Sequence, residues 1–137
     1  MDQQLLNLHF AVDQLKRNID SDIEKFSKTA ITKQQLYVLF LINKKGKCKL
    51  SFLAEMLDVK PSAITVMIDR LEKNGIVKRT HDTADRRAIF VEMTETGKTQ
   101  LSTAIQERKK ILKSYISKLT DEEIMQLTKI IEKMASI

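Results

Sequence analysis

The sequence predicts a mainly α fold in which a helix-turn-helix and a short β-hairpin sit between long terminal helices. Three observations predict it. Three glycines, one proline and no tryptophan in 137 residues are too few for a sandwich or barrel that turns every ten residues or so. Apolar residues at both ends of the chain recur at steps of three or four, the spacing of one helix face. Near the middle, two strand-like runs flank a polar loop. With 42% hydrophobic and 31% charged residues, a core can form and disorder is not the default.

The first helix carries Leu5, Leu8, Val12, Leu15, Ile19, Ile23 and Phe26 on one stripe. It would span roughly 35 Å, longer than a small domain needs, so its far end is expected to pack on something else. Thr32-Lys33-Gln34-Gln35 fits a capping box opening a second helix through Asn43. That helix is apolar almost all round (Leu36, Val38, Leu39, Phe40, Leu41, Ile42) and is expected to be the buried spine. Lys44 to Lys49 contains Gly46 and reads as a turn into a short strand. Ser51 is expected to cap a short helix with Phe52, Leu53, Ala54, Met56 and Leu57. Pro61 disfavours helix at Lys60 but suits a first helical position, so the next helix runs from Pro61 to Asn74 and stops at Gly75. Two helices so closely joined form a helix-turn-helix. Ile76 to Thr80 and Ala88 to Met93 then pair around the polar segment His81 to Arg87, a wing with a basic tip. Thr94 is expected to cap a long helix carrying Leu101, Ile105, Leu112, Tyr115, Ile116 and Leu119. Thr120-Asp121-Glu122-Glu123 opens a last helix on Ile124, Leu127, Ile131 and Met134.

Composition excludes several classes. One cysteine rules out an intramolecular disulfide framework, and two histidines argue against a structural zinc site. His9, His81, Cys48 and three isolated glycines supply no nucleophile–base pair, metal cluster or phosphate loop, so no enzyme, metal or cofactor is expected. The longest apolar run, Leu36 to Ile42, is far short of the roughly 18 residues of a membrane span. Met1-Asp2-Gln3-Gln4 lacks the features of a signal peptide, and a cytoplasmic chain is expected. Charge is the positive clue. Of a net +6, the segment from Lys44 to Arg87 holds +5, eleven cations against six carboxylates. A clustered basic segment in a near-neutral scaffold is the footprint of a polyanion-binding module.

In the helix from Pro61, Ile64, Ile68 and Leu71 form the inward face. Ser62, Ala63, Val66, Asp69, Arg70 and Lys73 point outward, with Thr65 at the boundary. A major groove about 12 Å wide admits a helix whose first turns carry small side chains. Ser62 and Thr65 can bond base edges or phosphates, while Ala63 and Val66 suit a thymine methyl. Lys60 is a poor cap for folding, since a cation opposes the helix dipole there; it makes sense if a phosphate sits at that N-terminus.

Leu50 to Gly97 resembles the winged helix-turn-helix core of MarR-family bacterial transcription regulators. The matching residues are Leu53-Ala54, Pro61-Ser62-Ala63-Ile64-Thr65, Asp69-Arg70-Leu71-Glu72-Lys73-Asn74-Gly75, Asp85-Arg86-Arg87 and Thr94-Glu95-Thr96-Gly97. The flanking helices match in length and order, so the resemblance covers nearly the whole chain. It implies one domain over residues 1–137, with a winged core at 31–97 and dimerisation helices at 1–30 and 98–137. It implies a homodimeric repressor on near-palindromic double-stranded DNA, in a bacterial cytoplasm at the nucleoid, relieved by a small-molecule effector or by oxidation. The dimer would be built on Leu5, Leu8, Val12, Leu15, Leu112, Ile116, Leu119, Ile124, Leu127, Ile131 and Met134.

By the same resemblance Arg87 enters the minor groove while Asp85 orients its guanidinium, and a narrow A·T-rich groove favours arginine. Lys78, Arg79 and Arg86 are expected to meet phosphate or solvent. Val66 departs from the family pattern, where a basic or polar residue is common, and suggests an A·T-rich half-site. Cys48 lies between Lys47 and Lys49, which can lower a thiol pKa. Peroxide-sensing members of the family, however, carry their cysteine in the first helix, where this chain has none. His9, Arg17 and Tyr37 are candidates to face a ligand pocket, and no effector can be named. The rival reading is a winged-helix protein-interaction module without DNA binding. Such modules commonly lose the basic surface that this chain concentrates.

Overall fold

Local chemistry sets most element boundaries within a residue or two of those expected. The computed structural model describes residues 1–85 and 87–137; Arg86, expected in the wing, lies outside them. The elements run α1 (Asp2–Phe26), α2 (Lys33–Lys45), β1 (Lys47–Lys49), α3 (Leu50–Leu57), α4 (Pro61–Lys73), β2 (Val77–His81), β3 (Ile89–Met93), α5 (Glu95–Ile116) and α6 (Asp121–Ala135). They group into two compact units, residues 28–105 and residues 1–27 with 106–137.

In the 28–105 unit the strands form an antiparallel sheet in the order β1-β3-β2. Its inner face carries Cys48, Val77 and Val91, and these join Val38, Leu39, Ile42, Leu53, Ile64, Ile68 and Leu71 in one core, each at most 2% exposed. Both expected capping boxes form. Thr32 Oγ1 accepts from Gln35 N and Thr120 Oγ1 from Glu123 N, with the reciprocal side-chain bonds present.

Three expectations need correction. The cap of α3 is Lys49, and Ser51 lies inside the helix; the strand β1 runs straight into α3, leaving no loop for a serine cap. α2 is not buried all round, since Tyr37 and Phe40 stay 46% and 48% exposed on its far side. Leu119 lies past the end of α5, in a turn closed by its own N–H on the Ile116 carbonyl at 2.9 Å.

The base of the wing is locked by the Thr94-to-Gly97 segment. Thr94 Oγ1 donates to the carbonyls of Gly75 and Ile76 at 2.5 and 3.1 Å and accepts from Gly97 N at 2.9 Å. A Cβ on Gly97 would fall 1.9 Å from the Ile76 carbonyl oxygen, so only glycine fits there.

In the other unit, neither α1 nor α6 has a buried residue. The Tyr115 hydroxyl donates a short hydrogen bond to Asp22, joining α5 to α1. Among the described residues, no helix is long and apolar enough to cross a membrane.

Candidate nucleic-acid interface

The turn between α3 and α4 is short because Asp58 adopts the left-handed conformation (φ 52°), which a small polar side chain tolerates. Val59 N then reaches back to the Ala54 carbonyl at 3.1 Å. Lys60 follows as the N-cap of α4 and makes no side-chain capping bond. Its ammonium group is exposed at a helix end whose first N–H groups favour an anion.

The faces of α4 fall as the spacing predicts. Ile64, Ile68 and Leu71 are buried, whereas Ser62, Ala63, Val66, Arg70 and Lys73 are exposed, Val66 to 50%. Thr65 is exposed, but its hydroxyl donates to the Pro61 carbonyl at 3.1 Å. That leaves its oxygen as an acceptor and its methyl as an apolar contact. Arg70 and Lys73 also lie in the last turn, where cations suit the helix dipole.

Arg79 is not the solvent- or phosphate-facing cation expected. From β2 its Nη1 donates to Glu72 at 2.6 Å and its Nη2 to Asp69 at 2.5 Å. The second Glu72 oxygen accepts the Arg79 backbone N–H at 3.0 Å. Burial works against the charge, but the bonds from Asp69 and Glu72 more than offset it and raise the guanidinium pKa. Arg79 therefore ties the wing to the outer edge of α4. The sequence hides this, because both acids lie across a turn on another element. Lys78 pairs with Glu92 at 3.3 Å and keeps 57% of its side chain exposed.

Two aspartates shape the wing tip. Asp82 Oδ1 accepts from Ala84 N, and Asp85 Oδ1 from Arg87 N, each at 3.0 Å. The Asp82 N–H closes the hairpin on the Ala88 carbonyl at 3.1 Å. Asp85 thus fixes the backbone of Arg87 rather than its guanidinium, and the Arg87 side chain is exposed.

The residues considered for control separate. Cys48 is 2% exposed; burial pushes its thiol pKa up, and the opposing field of Lys45 is the smaller effect. Lys47 and Lys49 do not activate it, since their ammonium groups lie over Phe90. His9 is exposed beside Phe10, and Arg17 pairs with Asp13 at 3.6 Å. Tyr37 lines an apolar cleft of about 590 Å³ together with Lys33, Gln34, Leu36, Phe40 and Ile105. Sequence reasoning missed Phe40 as a cleft residue, because its apolar neighbours on both sides disguised an exposed position as core.

Comparison with known proteins places these features. Residues 31–89 match the MarR family model. The chain is 38% identical over 135 residues to the HTH-type transcriptional repressor MdtR of Bacillus subtilis, covering 98% of this chain and 87% of that one. The crystal structure of the Bacillus subtilis YusO protein is 37% identical, with a TM-score of 0.85 over 99% of this chain and 97% of that one. A mutant MarR from E. coli complexed with operator DNA shares the fold at 24% identity, with a TM-score of 0.74 over 96% and 95% of the two chains.

Proposed function

Because the chain belongs to the MarR family of DNA-binding transcription regulators, we propose that it acts as a homodimeric repressor whose two wings and α4 helices read a near-palindromic operator. The observation that carries this reading is the exposed, small-side-chain start of α4 beside a wing that Arg79 ties to it. Ser62, Ala63, Thr65 and Val66 enter the major groove, with Lys60, Arg70 and Lys73 on its phosphates. Arg87 enters the minor groove from a tip set by Asp85, and Lys78 and Arg86 meet the backbone. The chain acts in the bacterial cytoplasm, on the nucleoid.

Dimerisation falls to residues 1–30 and 98–137, flanking the winged core at 31–97. The support is exposure: Leu5, Leu8, Val12, Leu15, Leu112, Ile131 and Met134 are each 48–75% exposed, as are Phe10, Met125 and Ile130. Apolar surface on this scale marks an association face. Of the two modes of relief, a small ligand is favoured over oxidation. The cleft beside Tyr37 is open and apolar, whereas the Cys48 thiol is buried and held protonated.

Selection of a randomised duplex library on the protein supplies the operator for a direct test. Replacing its half-site thymines by uracil should weaken binding wherever Ala63 or Val66 meets a methyl. Arg87→Ala should cost about 1–3 kcal/mol on A·T-flanked sites and less on G·C-flanked ones. Equal loss on both would make Arg87 a plain phosphate contact, and indifference to every uracil would remove the methyl readout.

A further inference from the structure

The outer face of the sheet carries charge that the fold does not use. Alternation sends Cys48, Val77 and Val91 inward, so Lys47, Lys49, Lys78, Phe90 and Glu92 share the opposite face. Lys47 and Lys78 both stand opposite Glu92, one from each side of β3. Glu92 takes the Lys78 ammonium at 3.3 Å. Lys47 and Lys49 instead hold their Nζ atoms 5.1 and 5.9 Å from the centre of the Phe90 ring. Among the described residues, no carboxylate forms an ion pair with either of them.

Two like charges converging on one half-buried ring are a weak choice for stability alone. They are a good choice for an anion that arrives later. Along a strand, residues two apart are separated by about 6.8 Å, so Lys47 and Lys49 stand far enough apart for each to take its own phosphate. The face is also continuous with the wing. Lys49 lines a cleft of about 400 Å³ with Ser51, Asp85, Arg87 and Ile89, so positive charge runs from Arg87 past Lys49 to Lys47.

Building on the wing as a minor-groove contact, we propose that the operator duplex continues across this face. Its phosphates beyond each half-site are neutralised by Lys47 and Lys49. The occupant is the flanking duplex of the same DNA, held whatever its sequence.

The experiment compares two duplexes: one selected from a randomised 40-base-pair library on the wild-type protein, and the same sequence trimmed until only the two half-sites remain protected. Wild type should bind the longer duplex at least about threefold tighter at low salt. Lys47→Gln, and then Lys47→Gln with Lys49→Gln, should remove that gain stepwise. The slope of log K against log salt should fall by about 1.8 per substitution, about 0.9 for each copy in the dimer, on the long duplex only. Glutamine keeps part of the stem over Phe90, and the Lys47→Arg, Lys49→Arg pair restores charge and should keep the gain. Equal loss on both duplexes, or no loss on either, would overturn the flanking path. Failure of wild type to bind the selected duplex at all would instead overturn the wing reading on which it rests.

Discussion

Arg79 shows where residue identity misleads. It follows Lys78 and sits in a wing, so it reads as a phosphate contact. Its partners are Asp69 and Glu72, ten and seven positions back across the α4–β2 turn, and no local spacing rule pairs such positions. Ser62, Ala63 and Val66, by contrast, were legible, because helix periodicity alone decides which way they point. The two roles for Arg79 predict different outcomes. As a clamp, Arg79→Ala should destabilise the protein by about 1–2 kcal/mol in urea unfolding, the modest size following from the 59% exposure of the Asp69 side chain. DNA affinity should fall through misalignment of wing and helix while the salt slope stays constant. A slope smaller by about 1.8, which is about 0.9 for each of the two copies on the operator, with stability unchanged would return Arg79 to the phosphate backbone.

At the scale of elements, the sequence shows most where chemistry is local. Both capping boxes, the Pro61 start of α4 and the turn at Gly75 could be read because the residues that make them are adjacent. The close approach at Gly97 could be recognised only as a motif, because its cause is a carbonyl twenty-one positions away. Gly97→Ala would set a methyl 1.9 Å from the Ile76 oxygen, so the wing base must move. A cost of about 1–3 kcal/mol is expected in thermal or urea unfolding, with loss of DNA binding at temperatures where the fold survives. An unchanged midpoint would mean that the contact yields freely.

The link between α1 and α5 is tested by pH instead. Its hydrogen bond to Asp22 first, then burial and the Asp22 charge, raise the Tyr115 pKa above the usual 10.0. A raised folded pKa means that the bond stabilises fully below pH 10 and is lost as pH climbs through the folded value. Tyr115→Phe should therefore lower the melting temperature near neutral pH, and the gap from wild type should close in strong alkali. A gap that persists there would assign the effect to packing.

At the scale of the whole molecule, what one chain leaves undone matters most. The winged unit closes its own core, whereas α1 and α6 bury no residue and display leucine, phenylalanine and methionine on more than one stripe. Spacing predicted the stripe of Leu5, Leu8, Val12 and Leu15. It did not predict Leu6 and Phe10, 50% and 61% exposed, because a one-stripe rule assigns such positions to water. Leu8 decides between a solvated helix and an interface, since it is 54% exposed in the single chain. On a solvated surface, Leu8→Glu would change stability by no more than about 0.5 kcal/mol. At a dimer interface it buries a carboxylate against its symmetry mate, and sedimentation should show the shift to monomer. The wild-type melting temperature should rise with protein concentration, and that dependence should weaken in the variant. Two half-sites on one duplex raise affinity through effective concentration, so the variant should lose about 10²–10⁴-fold on the full operator. On a single half-site, where one wing and one α4 suffice, it should match wild type. A Leu8→Glu protein that remains dimeric with full operator affinity would show that α1 does not hold the two copies together.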